Sequence, residues 1–122
     1  MAINNFITQK AKCARVFTFE LIDGKEADYQ QYLVNVVEVI DHDAYQKGTF
    51  LEVLTLSNDA PEKQRIFQRV FLFESEKQRA NFASKMAESA IIFDGSENAQ
   101  LQRKEYANTL RVQLAVNDYT FC

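Results

Sequence analysis

Apolar and polar side chains alternate in RVFTFELID (Arg15 to Asp23), with Phe17, Phe19 and Leu21 on one face and Val16, Thr18, Glu20 and Ile22 on the other. That period of two predicts a strand, closed by the turn formers Asp23-Gly24. From about Lys25 to Tyr45 the spacing changes. Tyr29, Tyr32, Leu33, Val36, Val37, Ile40 and Ala44 recur every three or four residues and gather on one side of a helix. TFLEVLTLS (Thr49 to Ser57) returns to a strand, and NDAPEK (Asn58 to Lys63), which holds the sole proline, reads as a hairpin loop into a third strand, RIFQRVFLF. Ser75 followed by Gln78 predicts an N-cap, because a serine oxygen can accept from the unpaired amides of a first helical turn. The helix it opens carries Phe82, Ala83, Met86, Ala87 and Ala90 on one side; FDGS (Phe93 to Ser96) interrupts it, a short polar helix spans Glu97 to Ala107, and LRVQLAVNDY (Leu110 to Tyr119) alternates cleanly as a last strand.

The order β-α-β-β-α-β predicts an α+β, ferredoxin-like fold: one antiparallel four-stranded sheet with both helices on one face. The chain is expected to form a single domain over 1–122, with a leader at 1–13, flexible or exchanged between subunits, and a helical insertion at 94–109 before the last strand. The strands carry more apolar surface than two helices can cover. Phe67, Phe71 and Phe73 oppose Ile66, Val70 and Leu72, and the second strand splits into Phe50, Leu54 and Leu56 against Leu51 and Val53. An uncovered apolar sheet face of this kind marks an interface. A homodimer packed sheet to sheet is therefore expected, the other solution being a leader and insertion that fold back over the face.

Composition narrows the partners. The 122 residues carry a net charge of −3 with scattered cations, which argues against nucleic acid. No stretch resembles a signal peptide or membrane span, so cytoplasmic residence with no membrane partner is expected. Cys13 and Cys122 have no metal-ligand spacing; reduced thiols are expected there, a disulfide between the two ends being the other reading. Three glycines supply no phosphate-binding loop. The single histidine, His42, lies between Asp41 and Asp43 roughly opposite the apolar stripe of the first helix, which predicts a solvated side chain. With one histidine no Ser-His-Asp, Cys-His or multi-histidine metal site can be assembled within the chain, and neither metal nor cofactor is expected.

The run Gly48 to Met86, GTFLEVLTLSNDAPEKQRIFQRVFLFESEKQRANFASKM, resembles the central block of the dimeric α+β barrel superfamily, particularly its antibiotic-biosynthesis-monooxygenase-like branch. Gly48, Glu52, Asp59, Pro61, Phe73, Ser75 and Glu76 stand at matching positions. Phe73 takes the place of a frequent tryptophan, and the common second-helix histidine has no counterpart near Phe82 to Ser84. The resemblance implies a small-molecule-binding homodimer similar to cofactor-independent monooxygenases of aromatic or polyketide-like substrates. In those the protein mainly desolvates and orients an electron-rich substrate. A non-catalytic ligand-binding or protein-interaction module on the same barrel is the alternative.

Candidate chemistry starts with Glu52 and Arg69. A hairpin centred between Ala60 and Pro61 would set them directly across from each other, with Phe50 beside Phe71 and Leu54 beside Phe67. Such a pair is either a structural ion pair or a catalytic constellation in which Arg69 anchors a substrate oxygen. Thr18, Glu20, Phe67, Phe71 and Tyr106 are the candidate ligand-binding residues, with Arg111, Gln113, Asn117 and Tyr119 as further polar points. The segment ENAQLQRKEYAN is a solvated helix face or a lid over the pocket.

Overall fold

The structure, a computed structural model, describes residues 10–122. The expectation for the leader falls mostly on residues 1–9, outside the described part. Four strands, β1 (Cys13–Leu21), β2 (Glu52–Ser57), β3 (Ile66–Phe73) and β4 (Arg111–Thr120), form one sheet in the order β2-β3-β1-β4. Every neighbouring pair is antiparallel. Between β1 and β2 run α1 (Glu26–Tyr32), a π-helical turn (Leu33–Val37) and α2 (Glu38–Gln46). Between β3 and β4 run α3 (Glu76–Ala80), α4 (Phe82–Asp94) and α5 (Glu97–Ala107). This is the ferredoxin-like α+β architecture.

The helices bury one row of each strand. On β3 that row is Phe67, Arg69, Phe71 and Phe73, each less than 9% exposed; across β1 it meets Phe19, Phe17, Arg15 and Cys13. Phe71 sits at the centre, 5.1 Å from Phe50 and 4.6 Å from Phe82 between ring centroids, with Phe17 edge-on at 5.8 Å. Tilted and edge-on aromatic pairs of this kind contribute about 0.5–1.5 kcal/mol each beyond the area they bury. Ser75 caps α3 as expected: its Oγ accepts from the Gln78 amide at 3.1 Å. Ser96 caps α5 in the same way.

Two patterns differ from expectation. The alternation of β2 slips between Phe50 and Val53. Leu51 donates its amide to Leu72 O while Glu52 is also paired with Leu72. Phe50 and Val53 therefore both join the helix-side core, and Leu51 packs with Leu72 and Val70 on the other side. The expected grouping of Phe50 with Leu54 and Leu56 is thus corrected. In β4 the register against β1 shifts between Thr18 and Phe19, so the last strand does not alternate throughout.

The insertion helix does not cover the open side of the sheet. Ala107 and Leu110 at its end are buried with Phe19, Tyr29, Tyr32 and Phe67, on the helix side.

Candidate ligand-binding site

A cavity of about 330 Å³ lies between the sheet and the helices. It exists because α4 turns Ala83, Ala87 and Ala90 toward the sheet, with Met86 as the one long side chain among them. Small side chains at that spacing leave a gap. Phe17, Phe19, Phe71 and Phe82 supply its aromatic surfaces, Tyr29, Tyr32, Val37 and Ile40 line it from the first helical segment, and α5 contributes Gln100, Arg103 and Lys104. An apolar hollow of this size with a few polar groups is the usual form of a small-molecule site.

The buried ion pair beside it is Arg69 with Asp41. Arg69 Nη2 donates to Asp41 Oδ2, and Arg69 Nη1 donates to Thr55 Oγ1 at 2.8 Å. Both residues are 7% exposed. Burial pushes the Asp41 carboxyl above the ordinary aspartate value, and the adjacent guanidinium pulls it back only in part. Burial likewise pushes the Tyr29 phenol up, against the opposing charges of Arg69 and Arg111. At the other end of the cavity, Arg103 donates to both Asp94 carboxylate oxygens at 2.9 Å and to the Tyr32 hydroxyl at 2.9 Å.

The expected Glu52–Arg69 cross-strand pair does not form. The true register places Glu52 opposite Leu72 and Arg69 opposite Thr55, so the hairpin is centred past Pro61 and the partner of Arg69 comes from α2. Glu52 instead accepts from the amide of Val53 at 3.0 Å. Glu52 and Arg69 do share a second recess of about 360 Å³, on the β2 side of the ion pair, with Glu38, His42 and Thr55. His42 is exposed there. In the same register Leu54 pairs with Val70, not Phe67, and Phe71 pairs with Val53, not Phe50, although Phe50 and Phe71 do touch.

Of the other expected ligand residues, Phe71 lines the main cavity. Phe67 is one layer away, under Tyr29 at 5.0 Å. Tyr106 is half exposed and edge-on to Tyr32 at 5.8 Å. Thr18 and Glu20 lie on the open face of the sheet, away from the helices: Thr18 accepts from Gln68 Nε2, and Glu20 is 3.9 Å from Arg65. Arg111 and Gln113 line the cavity, Asn117 lies outside it, and Tyr119 is exposed. Asp41, Tyr29, Tyr32 and Arg103 were missed as site residues. Their signal was present: Asp41 is an acid seven residues before Gly48 in phase with the apolar stripe of Val37 and Ala44, and Arg69 is a base in a buried row of phenylalanines. A charge at a core position calls for a partner at another core position.

Both cysteines are free, Cys13 buried and Cys122 exposed. Among the described residues no group of three or more His, Cys, Asp or Glu side chains is placed to hold a metal ion. No described helix is long and apolar enough to cross a membrane.

No protein-family profile matches the chain, and no curated protein matches it in sequence. Solved structures match its fold. A dimeric ferredoxin-like protein from an uncultured marine organism aligns with a TM-score of 0.67 at 12% identity, covering 94% of this chain and 91% of its own. An uncharacterized NIPSNAP-like domain protein from Burkholderia xenovorans gives 0.65 at 9% identity, over 93% and 87%. A protein assigned as an antibiotic biosynthesis monooxygenase, from Chloroflexus aurantiacus J-10-fl, gives 0.54 at 7% identity, over 92% and 94%. The chain thus shares its ferredoxin-like fold with these proteins.

Proposed function

We propose that the protein binds a small aromatic molecule in the cavity between sheet and helices and works as a homodimer joined through the open faces of its sheets. The cavity carries this reading: the rings of Phe17, Phe19, Phe71 and Phe82 and of Tyr29 and Tyr32 line it, and a stripe of alanines leaves room between them. The fold shared with a dimeric ferredoxin-like protein and with an assigned monooxygenase supports it. The chemistry that suits such a site is cofactor-independent oxidation. An anthrone or quinol, once deprotonated, is itself the electron donor to dioxygen; oxidation of an anthrone methylene to a carbonyl consumes one dioxygen and releases one water. The protein supplies a dry, oriented environment. Asp41, the acid beside the cavity, is already committed to Arg69, so the pair shapes the wall and its field.

A thermal-shift panel of anthrones, quinols and neutral polycyclic controls, with oxygen uptake measured on every hit, tests the reading. Stabilisation by an anthrone accompanied by oxygen consumption is the expected result. Stabilisation without uptake would leave a binding module on the same fold, and no stabilisation by any aromatic compound would remove the cavity as a ligand site.

A further inference from the structure

Every arginine in the chain except one lies within salt-bridge distance of a carboxylate. Arg15 and Arg79 share Asp118, Arg65 meets Glu20 and Asp23, Arg69 meets Asp41, and Arg103 meets Asp94. Arg111 has no such partner among the described residues, and it is the arginine that faces the cavity from β4. Its guanidinium lies 4.6 Å from the centroid of the Phe19 ring, and among the described residues its one side-chain hydrogen bond is to Asn108 Oδ1 at 3.3 Å. These contacts fix its position and leave its charge uncompensated. A guanidinium has five N–H donors in a planar fork, so most of this one's are unused.

The surroundings sharpen the imbalance. Lys104 also lines the cavity and has no carboxylate partner among the described residues. The one acid on the lining, Asp41, is held by Arg69. Gln100 is 9% exposed, its amide group has no hydrogen-bond partner among the described residues, and it too faces the cavity. A chain whose net charge is −3 thus encloses a hollow lined by an excess of positive charge. Burial works against the charged form of Arg111, a cost that a bound anion would offset.

Resting on the cavity reading above, we infer that the ligand is an aromatic carboxylate: its ring lies on the phenylalanine floor and its carboxylate is gripped by the fork of Arg111. A planar carboxylate matches a single guanidinium in a bidentate contact, which the fork of Arg111 offers by itself.

Calorimetric titration of the full chain with naphthoate and with its neutral isostere naphthamide tests the assignment. The wild-type protein binds naphthoate at least about tenfold more tightly, the scale of a charge-assisted hydrogen bond. Arg111→Gln removes that preference while the naphthamide affinity stays within about twofold, and Lys104→Gln, which takes one charge from the lining but leaves the fork, lowers the preference by less than Arg111→Gln does. Equal binding of the two compounds by the wild type overturns the inference and spares the cavity. Loss of preference in Lys104→Gln but not in Arg111→Gln overturns the assignment to Arg111. Binding of neither compound overturns this inference, and the thermal-shift panel above then decides whether the cavity takes any aromatic ligand. The wild-type comparison stands even if the Arg111 variant fails to fold.

Discussion

Asp41 and Asp118 are both aspartates paired with arginine, and their surroundings send them in opposite directions. Asp118 is partly exposed; hydrogen bonds from Arg15 at 2.8 and 3.1 Å hold its carboxyl below the usual value. Asp41 is buried, and desolvation holds it above that value in spite of Arg69. The signs for stability follow. The Asp118 pair contributes stability above the ordinary aspartate value that is lost as pH falls through its lowered one. For Asp41 the native state binds its proton more tightly than the unfolded chain, so stability from this group is greatest below the ordinary value and declines as pH rises through the raised one. Arg69→Met strips Asp41 of its counter-charge and raises it further. The variant is expected to lose about 3–5 kcal/mol at neutral pH, the usual result of leaving one buried charge unpaired, and less at a lower pH, as Asp41 takes up its proton. Urea unfolding of wild type and variant at the two pH values measures this. A loss independent of pH would mean that packing, not charge, is what Arg69 provides.

At the level of strands and helices, most of the fold was legible from periodicity. The order of elements, the Ser75 cap, the polar helix from Glu97 to Ala107 and the apolar row Phe67, Phe71, Phe73 all follow from local spacing, and local spacing is what sequence displays. What was not legible depends on relative placement. Centring the loop between Ala60 and Pro61 misplaces the β2–β3 register, because the loop holds a short 3-10 turn at Pro61–Lys63; the slip near Leu51, at the other end of β2, is a second irregularity, and neither has a hydropathy signature. With the register went the partner of Arg69. The π-helical turn at Leu33–Val37 was equally silent, since its apolar residues fit ordinary helical spacing. The alanine stripe of α4 was visible as an apolar face, yet its consequence, a hollow, appears only once the opposing helix is placed. That consequence is testable. Ala87→Leu pushes a branched side chain into the cavity without displacing a packed neighbour. The variant should unfold at a temperature no lower than wild type while losing binding of the aromatic probes. A variant that keeps full binding would place the ligand elsewhere.

For the molecule as a whole, the question is what covers the side of the sheet opposite the helices. Leu54 and Leu56 at one edge and Val112 at the other are each 45–50% exposed, and Val16 and Val70 between them are only half buried. The face is not uniformly apolar: Thr18 and Gln68 are hydrogen-bonded to each other at its middle. Such a surface, greasy toward both edges with a polar pair at the centre, suits a partner related by two-fold symmetry, because each edge then meets its counterpart on a second copy. The insertion helix lies on the far side and cannot shield it. A stable contact of standard size buries about 800 Å² on each partner, and the face of a four-stranded sheet is of that order. Sedimentation at micromolar concentration should therefore show a dimer. Leu54→Lys combined with Val112→Lys should convert it to a folded monomer, since both side chains are half exposed within one subunit and their replacement leaves its core untouched. A wild-type protein that sediments as a single chain would assign the uncovered face to something other than a second copy, whereas a double variant that remains dimeric would move the interface off this face.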